Sequence, residues 1–203
     1  MSVNEELLCR YGETREPAYR IYEPAERCIV LGAGRKAEAD VFLDRAAADG
    51  LPVLRRRGGG GTVLLTPGQV VLAVVTEVDS PFRNREYAAR INCWFVEALE
   101  LLGVQKVQHR GISDLAILDR KILGTSIYRS RGVLFYQASL LVDLDLAIFE
   151  RYLRMPDRAP EYRRARSHEE FCTTLRREGY ALLPRELCAV LEEVVRRELP
   201  LLR

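Results

Sequence analysis

Three short apolar runs stand apart between Ala18 and Arg56: AYRIYEP (18–24), CIVLG (28–32) and PVLRR (52–56). Each has strand length and is rich in β-branched or aromatic residues. The Ala-rich segment RKAEADVFLDRAAADG (35–50) between the last two predicts a helix stopped by Gly50. TVLL and QVVLAVVTEV follow as strands joined by a Thr66-Pro67-Gly68 turn, and the unbroken apolar run VVLAVV predicts burial on both faces. Ile91, Trp94, Phe95, Ala98, Leu99 and Leu102 recur at helical spacing, the inward stripe of a helix from about Asn84 to Leu102. VQKVQHR, DLAIL, RKILGTSIYRS and GVLFYQASLLVD then give four strand-like pieces, with turns at Gly111, Asp119-Arg120 and Ser130-Arg131-Gly132. LAIFERYL reads as a short helix, and PRELCAVLEEVVRREL as a last one opened by Pro184. The most charged stretch, PDRAPEYRRARSHEE (156–170), is expected to be a mobile loop. With no repeat or linker in view, this order predicts one α+β domain over residues 1–203, a mixed sheet with packed helices.

Composition narrows the function less than the pattern narrows the fold. The 203 residues are 48% hydrophobic, enough for a full core. Thirty-one basic against 29 acidic residues leave a formal charge of +2, and no nucleic-acid-binding motif is present. No apolar run has the length of a membrane span and the N-terminus lacks a signal-peptide core, so a cytoplasmic protein with neither nucleic acid nor membrane as partner is expected. The five cysteines include no CxxC pair, and His109 and His168 stand apart, so no metal site is predicted. Only three residues are lysine: Lys36, Lys106 and Lys121. In so arginine-rich a chain each one draws notice, because Arg cannot replace a compact ammonium.

Two constellations could carry chemistry. In RRRGGGGTV (55–63) a glycine run follows a basic strand. Such a run lets backbone N–H groups close on an anion, and flanking arginines add charge-assisted contacts to phosphate. No Gly-Lys-Ser/Thr follows, so it is no Walker loop; no helix follows either, so it is no dinucleotide fingerprint. The bland alternative is a glycine bulge with solvated arginines. The second constellation is RGISDLAILDRKILGTSIYRSRG (110–132). Asp114 opens one strand and Lys121 the next, which in a hairpin is expected to bring carboxylate and ammonium to the same end of the sheet. Gly124, Thr125 and Ser126 leave room beside the lysine, and a flexible point charge suits a reacting acyl phosphate.

Together these motifs resemble the lipoate–protein ligase family, within the wider biotin/lipoate ligase superfamily. The likeness rests on Arg55-Arg56-Arg57-Gly58-Gly59-Gly60-Gly61-Thr62-Val63 with the later Gly68, on Gly111-Ile112-Ser113-Asp114, and on Arg120-Lys121-Ile122-Leu123-Gly124-Thr125-Ser126. NEELL near the start and GVLFYQASLLVDLDLAIFERYLR extend it over most of residues 4–180. The resemblance implies a catalytic domain related to those of class II aminoacyl-tRNA synthetases and biotin ligases. Such a domain activates lipoate or octanoate with ATP and Mg2+ to an acyl-adenylate, then transfers the acyl group to a lysine of a lipoyl-domain protein. It further implies that Arg56 with Gly59, Gly60 and Gly61 holds the adenylate phosphate and covers the acyl chain. Thr62, Val63, Gly124 and Thr125 complete that pocket. Lys121 contacts the α-phosphate and the acyl carbonyl, while Asp114 lies near the nucleotide or the incoming lysine.

Departures from the family pattern are Leu65 where a His is usual, Ser113 where an Asn is usual, and Tyr136 or Gln137 where a His is often found. The chain ends at Arg203, too early for the C-terminal accessory domain of longer ligases, so a separate accessory chain is a candidate partner. Two rival readings stay open. An octanoyl- or lipoyl-transferase of the same fold would need a low-pKa cysteine, for which Cys172 is the candidate. A non-catalytic acyl-nucleotide-binding relative would need none.

Overall fold

The computed structural model describes residues 4–80 and 83–202. In chain order its elements are α1 (Glu5–Thr14), β1 (Ala18–Tyr22), β2 (Cys28–Leu31), α2 (Ala37–Asp40), α3 (Leu43–Ala48), β3 (Val53–Arg55), β4 (Val63–Leu65) and β5 (Gln69–Glu77). They continue with α4 (Asn84–Leu101), β6 (Val107–Arg110), β7 (Asp114–Ile117), β8 (Arg120–Ser130), β9 (Val133–Leu141), α5 (Ala147–Tyr152), α6 (His168–Phe171) and α7 (Pro184–Glu198). The apolar run of β5 is buried from Gln69 to Thr76 because both of its faces are covered. Its even positions, Val70, Leu72 and Val74, pack into one core with Ile91, Phe95 and Leu99 of α4 and Leu187, Leu191 and Val195 of α7. Its odd positions, Ala73 and Val75, meet Phe135 and the inward residues Leu7 and Tyr11 of α1. Strand alternation accounts for the two-sided division.

The architecture is α+β, with two sheets. The larger has the order β1-β5-β9-β8-β7-β6 and is antiparallel at every pairing. The predicted mixed pairing lies in the smaller sheet, β3-β2-β4, where β2 runs parallel to β3 and antiparallel to β4. The smaller sheet packs with α5 and with Leu141 of β9 in a second core of Ile29, Leu31, Leu64, Phe149 and Leu153. At the β8–β9 turn, Arg131 and Gly132 have φ of 49° and 81°. Two left-handed residues in a row are what a tight hairpin requires for its twist.

Two expectations change. The segment 35–50 is not one helix: it breaks between α2 and α3, where Val41 is extended and bridges Leu153. The N–H of Phe42 donates to the Tyr152 carbonyl, so tertiary pairing takes the backbone groups that a continuous helix would use. Gly50 does end α3, at φ +63°. The charged stretch 156–170 is not a free loop. It packs against the large sheet, with Tyr162 bonded to Asp114 and Arg166 to the Asp119 carbonyl, and Arg163 buried beneath it.

Candidate functional site

Between the two sheets lies a cavity of about 260 Å³. Its apolar wall includes Val63, Leu65, Val71, Leu141, Phe149 and Leu153, and its charged lining includes Asp40, Arg56, Lys121 and Arg163. Strand alternation puts Gln137, Ser139 and Leu141 of β9 on the same inward face. The cavity therefore combines an apolar interior with a cluster of cations, the shape of a site for an amphiphilic anion.

Lys121 lies on this cavity, its Nζ 2.7 Å from Asp114 Oδ1. The two do not meet by opening adjacent strands at one end of the sheet. Across the β7–β8 pairing Lys121 stands opposite Ala116, and a register shift follows before Leu115 pairs with Leu123. The lysine reaches the level of Asp114 by lying over Gly124. A Cβ on Gly124 would stand 2.9 Å from both Lys121 Cε and Nζ. Asp114 is fixed from its other side by the Tyr162 hydroxyl, which donates to Oδ2 at 2.8 Å. Burial, and then the Asp114 charge, push the Tyr162 phenol well above its ordinary value, so it stays a donor.

The glycine loop is held by Arg56, which is 5% exposed. Its Nη2 donates to the carbonyls of Gly59 (2.8 Å) and Gly61 (2.7 Å), Nη1 to Val30 O (3.1 Å) and Nε to Ser126 Oγ (2.8 Å). Burial pushes this guanidinium down to about 10. Two glycines permit the close packing. A Cβ on Gly58 would lie 2.1 Å from Ser126 Oγ, and one on Gly32 2.2 Å from the Gly60 carbonyl oxygen. Gly60 itself has φ +91°. With the loop carbonyls turned back onto Arg56, no partner among the described residues takes the N–H of Gly60 or Gly61. The neighbouring arginines serve the scaffold: Arg55 bonds the carbonyls of Gly32, Ala33 and Arg35, and Arg57 bonds Glu5 of α1.

Of the predicted residues, Arg56, Gly61, Thr62, Val63, Lys121, Gly124 and Thr125 line the cavity. Gly59 and Gly60 belong to the same loop next to the lining residue Gly61, with Gly59 held by Arg56, and Asp114 meets the cavity through Lys121. The structure adds residues that carried no sequence signal. Asp40 accepts from Arg35 Nε at 2.7 Å and from the Thr62 hydroxyl, and Arg35 above all holds its carboxyl below the usual range. Arg163, 5% exposed, donates Nε to the Arg166 carbonyl and stacks on Phe171, leaving Nη2 buried without a partner among the described residues. Burial pushes Arg163 down, and burial followed by the Arg163 charge lowers His168. Cys172 lines the cavity and bridges the backbone of Lys121. Burial pushes its thiol up to about 11, the Lys121 charge opposing only in part. Among the described residues no helix is long and apolar enough to cross a membrane.

Comparison with known proteins adds ancestry to this geometry. The family model of the lipoyl protein ligase A/B catalytic domain matches residues 1–195. Lipoate-protein ligase A subunit 1 of Thermoplasma acidophilum is 27% identical over 162 residues, covering 73% of this chain and 58% of that protein. An octanoyltransferase of Clostridioides difficile is 21% identical over 168 residues, covering 72% and 62%. The chain thus spans less than two thirds of either relative. Among solved structures, lipoate-protein ligase A bound with ATP superposes with a TM-score of 0.80 at 22% identity, covering 97% of this chain and 78% of that one. The bipartite lipoate protein ligase of T. acidophilum, described with its E2 lipoyl domain, gives 0.77 at 24%, covering 91% and 72%. At these identities the structural likenesses establish the fold.

Proposed function

The chain belongs to the lipoyl protein ligase A/B catalytic-domain family, and we propose that it is a lipoate/octanoate–protein ligase that forms an acyl-adenylate. The carrying observation is the Lys121–Asp114 pair, 2.7 Å apart, at the wall of an apolar cavity. The substrates are a medium-chain acid and ATP as its magnesium complex. A carboxylate oxygen attacks the α-phosphorus, the P–O bond to pyrophosphate breaks, and acyl-AMP remains. The ε-amine of a lipoyl-domain lysine then attacks the acyl carbonyl; a C–N bond forms, AMP leaves, and the amine loses a proton.

This chain's own groups suit those steps. Lys121 has two further Nζ protons beyond the one on Asp114, and a flexible stem with which to follow charge from phosphate to carbonyl. Asp114, held by Tyr162, positions that ammonium. The N–H groups of Gly60 and Gly61, which have no partner among the described residues, are available to the phosphate, while Thr62, Val63, Gly124 and Thr125 shape the pocket around it. Arg56 acts by holding the loop rather than by touching phosphate. The unspent Nη2 of Arg163 supplies a second cation. A lipoyl domain is the acceptor, a separate accessory chain a candidate partner, and the cytoplasm the place of action.

The thioester route is favoured by relatives that are octanoyltransferases and by the place of Cys172 beside Lys121. A thiol pushed up to about 11 is protonated at neutral pH and a poor nucleophile, which supports the ATP route. The chain incubated with ATP, octanoate and a lipoyl domain should yield the octanoyl-lysine amide, and Lys121→Ala should not. Transfer from octanoyl-acyl carrier protein without ATP, lost in Cys172→Ser, would replace this reading with the transferase.

A further inference from the structure

Asn4 stands at the N-cap of α1, where an Asn side chain ordinarily accepts from the first helical N–H groups. It makes no such bond. Instead it turns into the cavity, and its Nδ2 donates to Gln137 Oε1 at 3.1 Å. Both residues line the cavity and are more than nine-tenths buried, at 3% and 8% exposure. Among the described residues, Asn4 Oδ1 and Gln137 Nε2 have no partner. Turning both amides round changes nothing in the tally: the pair makes one bond and leaves one acceptor and one donor unspent. The Tyr22 hydroxyl stands beside the Asn4 side chain, within reach of a hydrogen bond to it. Were it to turn onto Asn4 Oδ1, the Gln137 donor would still be unspent.

The pair lines the same cavity as Lys121, within the reach of an acyl tail. The Lys121 ammonium lies level with Gly124, and Gly124 pairs with Ser139. Gln137 is two residues further along the same face of β9, roughly 7 Å at the strand rise. A medium-chain tail whose carboxyl lies at Lys121 is long enough to cover that distance. A wholly apolar tail would seal off these buried amide atoms from water without giving them a partner, a costly arrangement.

The geometry points to an acid whose distal end carries a hydrogen-bonding group, such as a hydroxyl that accepts from Gln137 Nε2 and donates to Asn4 Oδ1. This rests on the ligase reading and narrows its substrate. A site built to bond a polar substrate group discriminates against the analogue that lacks it.

Calorimetric titration of the purified chain with 8-hydroxyoctanoate and with octanoate tests the inference without requiring turnover. The hydroxy acid is expected to bind about tenfold more tightly, the value of one well-made buried hydrogen bond. In the double variant Asn4→Ala/Gln137→Leu the order should reverse, with octanoate the tighter ligand. Equal affinities, or octanoate tighter in the wild type, overturn the inference while leaving the ligase reading intact. If neither acid binds, the ligase reading falls and the inference with it. The wild-type comparison decides even if the double variant fails to fold.

Discussion

Lys121 meets Asp114 at 2.7 Å by running along its own strand across a glycine, rather than by facing it from the opposite strand. The ammonium is thus delivered to the cavity on a stem that lies flat on the sheet, and the glycine at position 124 is a condition of its delivery.

Gly124→Ala is expected to impair activity without unfolding the chain. The new methyl would stand 2.9 Å from Lys121 Cε and Nζ, so the ammonium must shift from its place beside Asp114. Acid-dependent adenylation should fall by at least tenfold, while the melting temperature changes by no more than a few degrees. An unchanged rate would show that the lysine's place over Gly124 does not matter.

Lys121→Ala should cost on the order of a hundred- to a thousandfold in adenylation rate, the loss seen when one preorganised donor is removed from developing charge. Lys121→Arg should not restore it, because the planar fork is bulkier than the ammonium that Gly124 accommodates. Neither change should cost much stability, since the Lys121 side chain is partly exposed at 26%. Denaturant melts alongside single-turnover adenylation separate the two effects.

Arg56→Ala is expected to act through structure. It strips bonds from the carbonyls of Val30, Gly59 and Gly61 and from Ser126 Oγ in a buried setting. A loss of about 3 kcal/mol of stability follows from orphaning such groups. Urea unfolding measures it directly; a change below about 1 kcal/mol would mean that the loop holds itself.

Asp40 makes the acid stability of the fold testable. Its carboxyl is held below its ordinary value by Arg35 first, then by Thr62. A lowered folded-state value means stability that is present above the ordinary carboxylate range and lost as pH falls through the lowered one. Asp40→Asn should therefore be less stable than wild type at neutral pH, with the difference shrinking as the pH is taken below about 4. Urea midpoints across a pH series check the sign, and a difference that grows toward acid would contradict it.

Cys172→Ser should retain ATP-dependent acyl transfer within about twofold, since a thiol at about 11 is protonated at neutral pH. In the wild type, alkylation of Cys172 by iodoacetamide should quicken steadily from neutral pH toward 11. Ready alkylation at neutral pH would mark a thiolate and favour the transferase.

Much of this was legible in the chain. The continuous run of β5, the Trp94-Phe95 stripe of α4 and the β7–β8–β9 meander follow from periodicity and turn residues alone. Lys121, Asp114 and the glycine loop are visible as residue types that a plain sheet would avoid. What escaped has a common cause: it depends on contacts across long sequence separation. Val41 leaves its helix because Leu153 pairs with it, and the basic stretch around Arg163 is ordered because Asp114 accepts from Tyr162. Arg56 looked like an anion ligand, yet its acceptors are carbonyls of Val30, Gly59 and Gly61, which no local pattern announces. Asn4 and Gln137 lie 133 positions apart and become a pair only in the folded cavity.

The most direct test is a crystal structure of the chain with a non-hydrolysable octanoyl-adenylate analogue. The phosphate-equivalent group is expected within hydrogen-bond distance of Lys121 Nζ and of the Gly60 and Gly61 N–H groups, with the acyl tail lying toward Gln137. A nucleotide seated away from the glycine loop, or an acyl group outside the cavity between the sheets, would contradict this expectation.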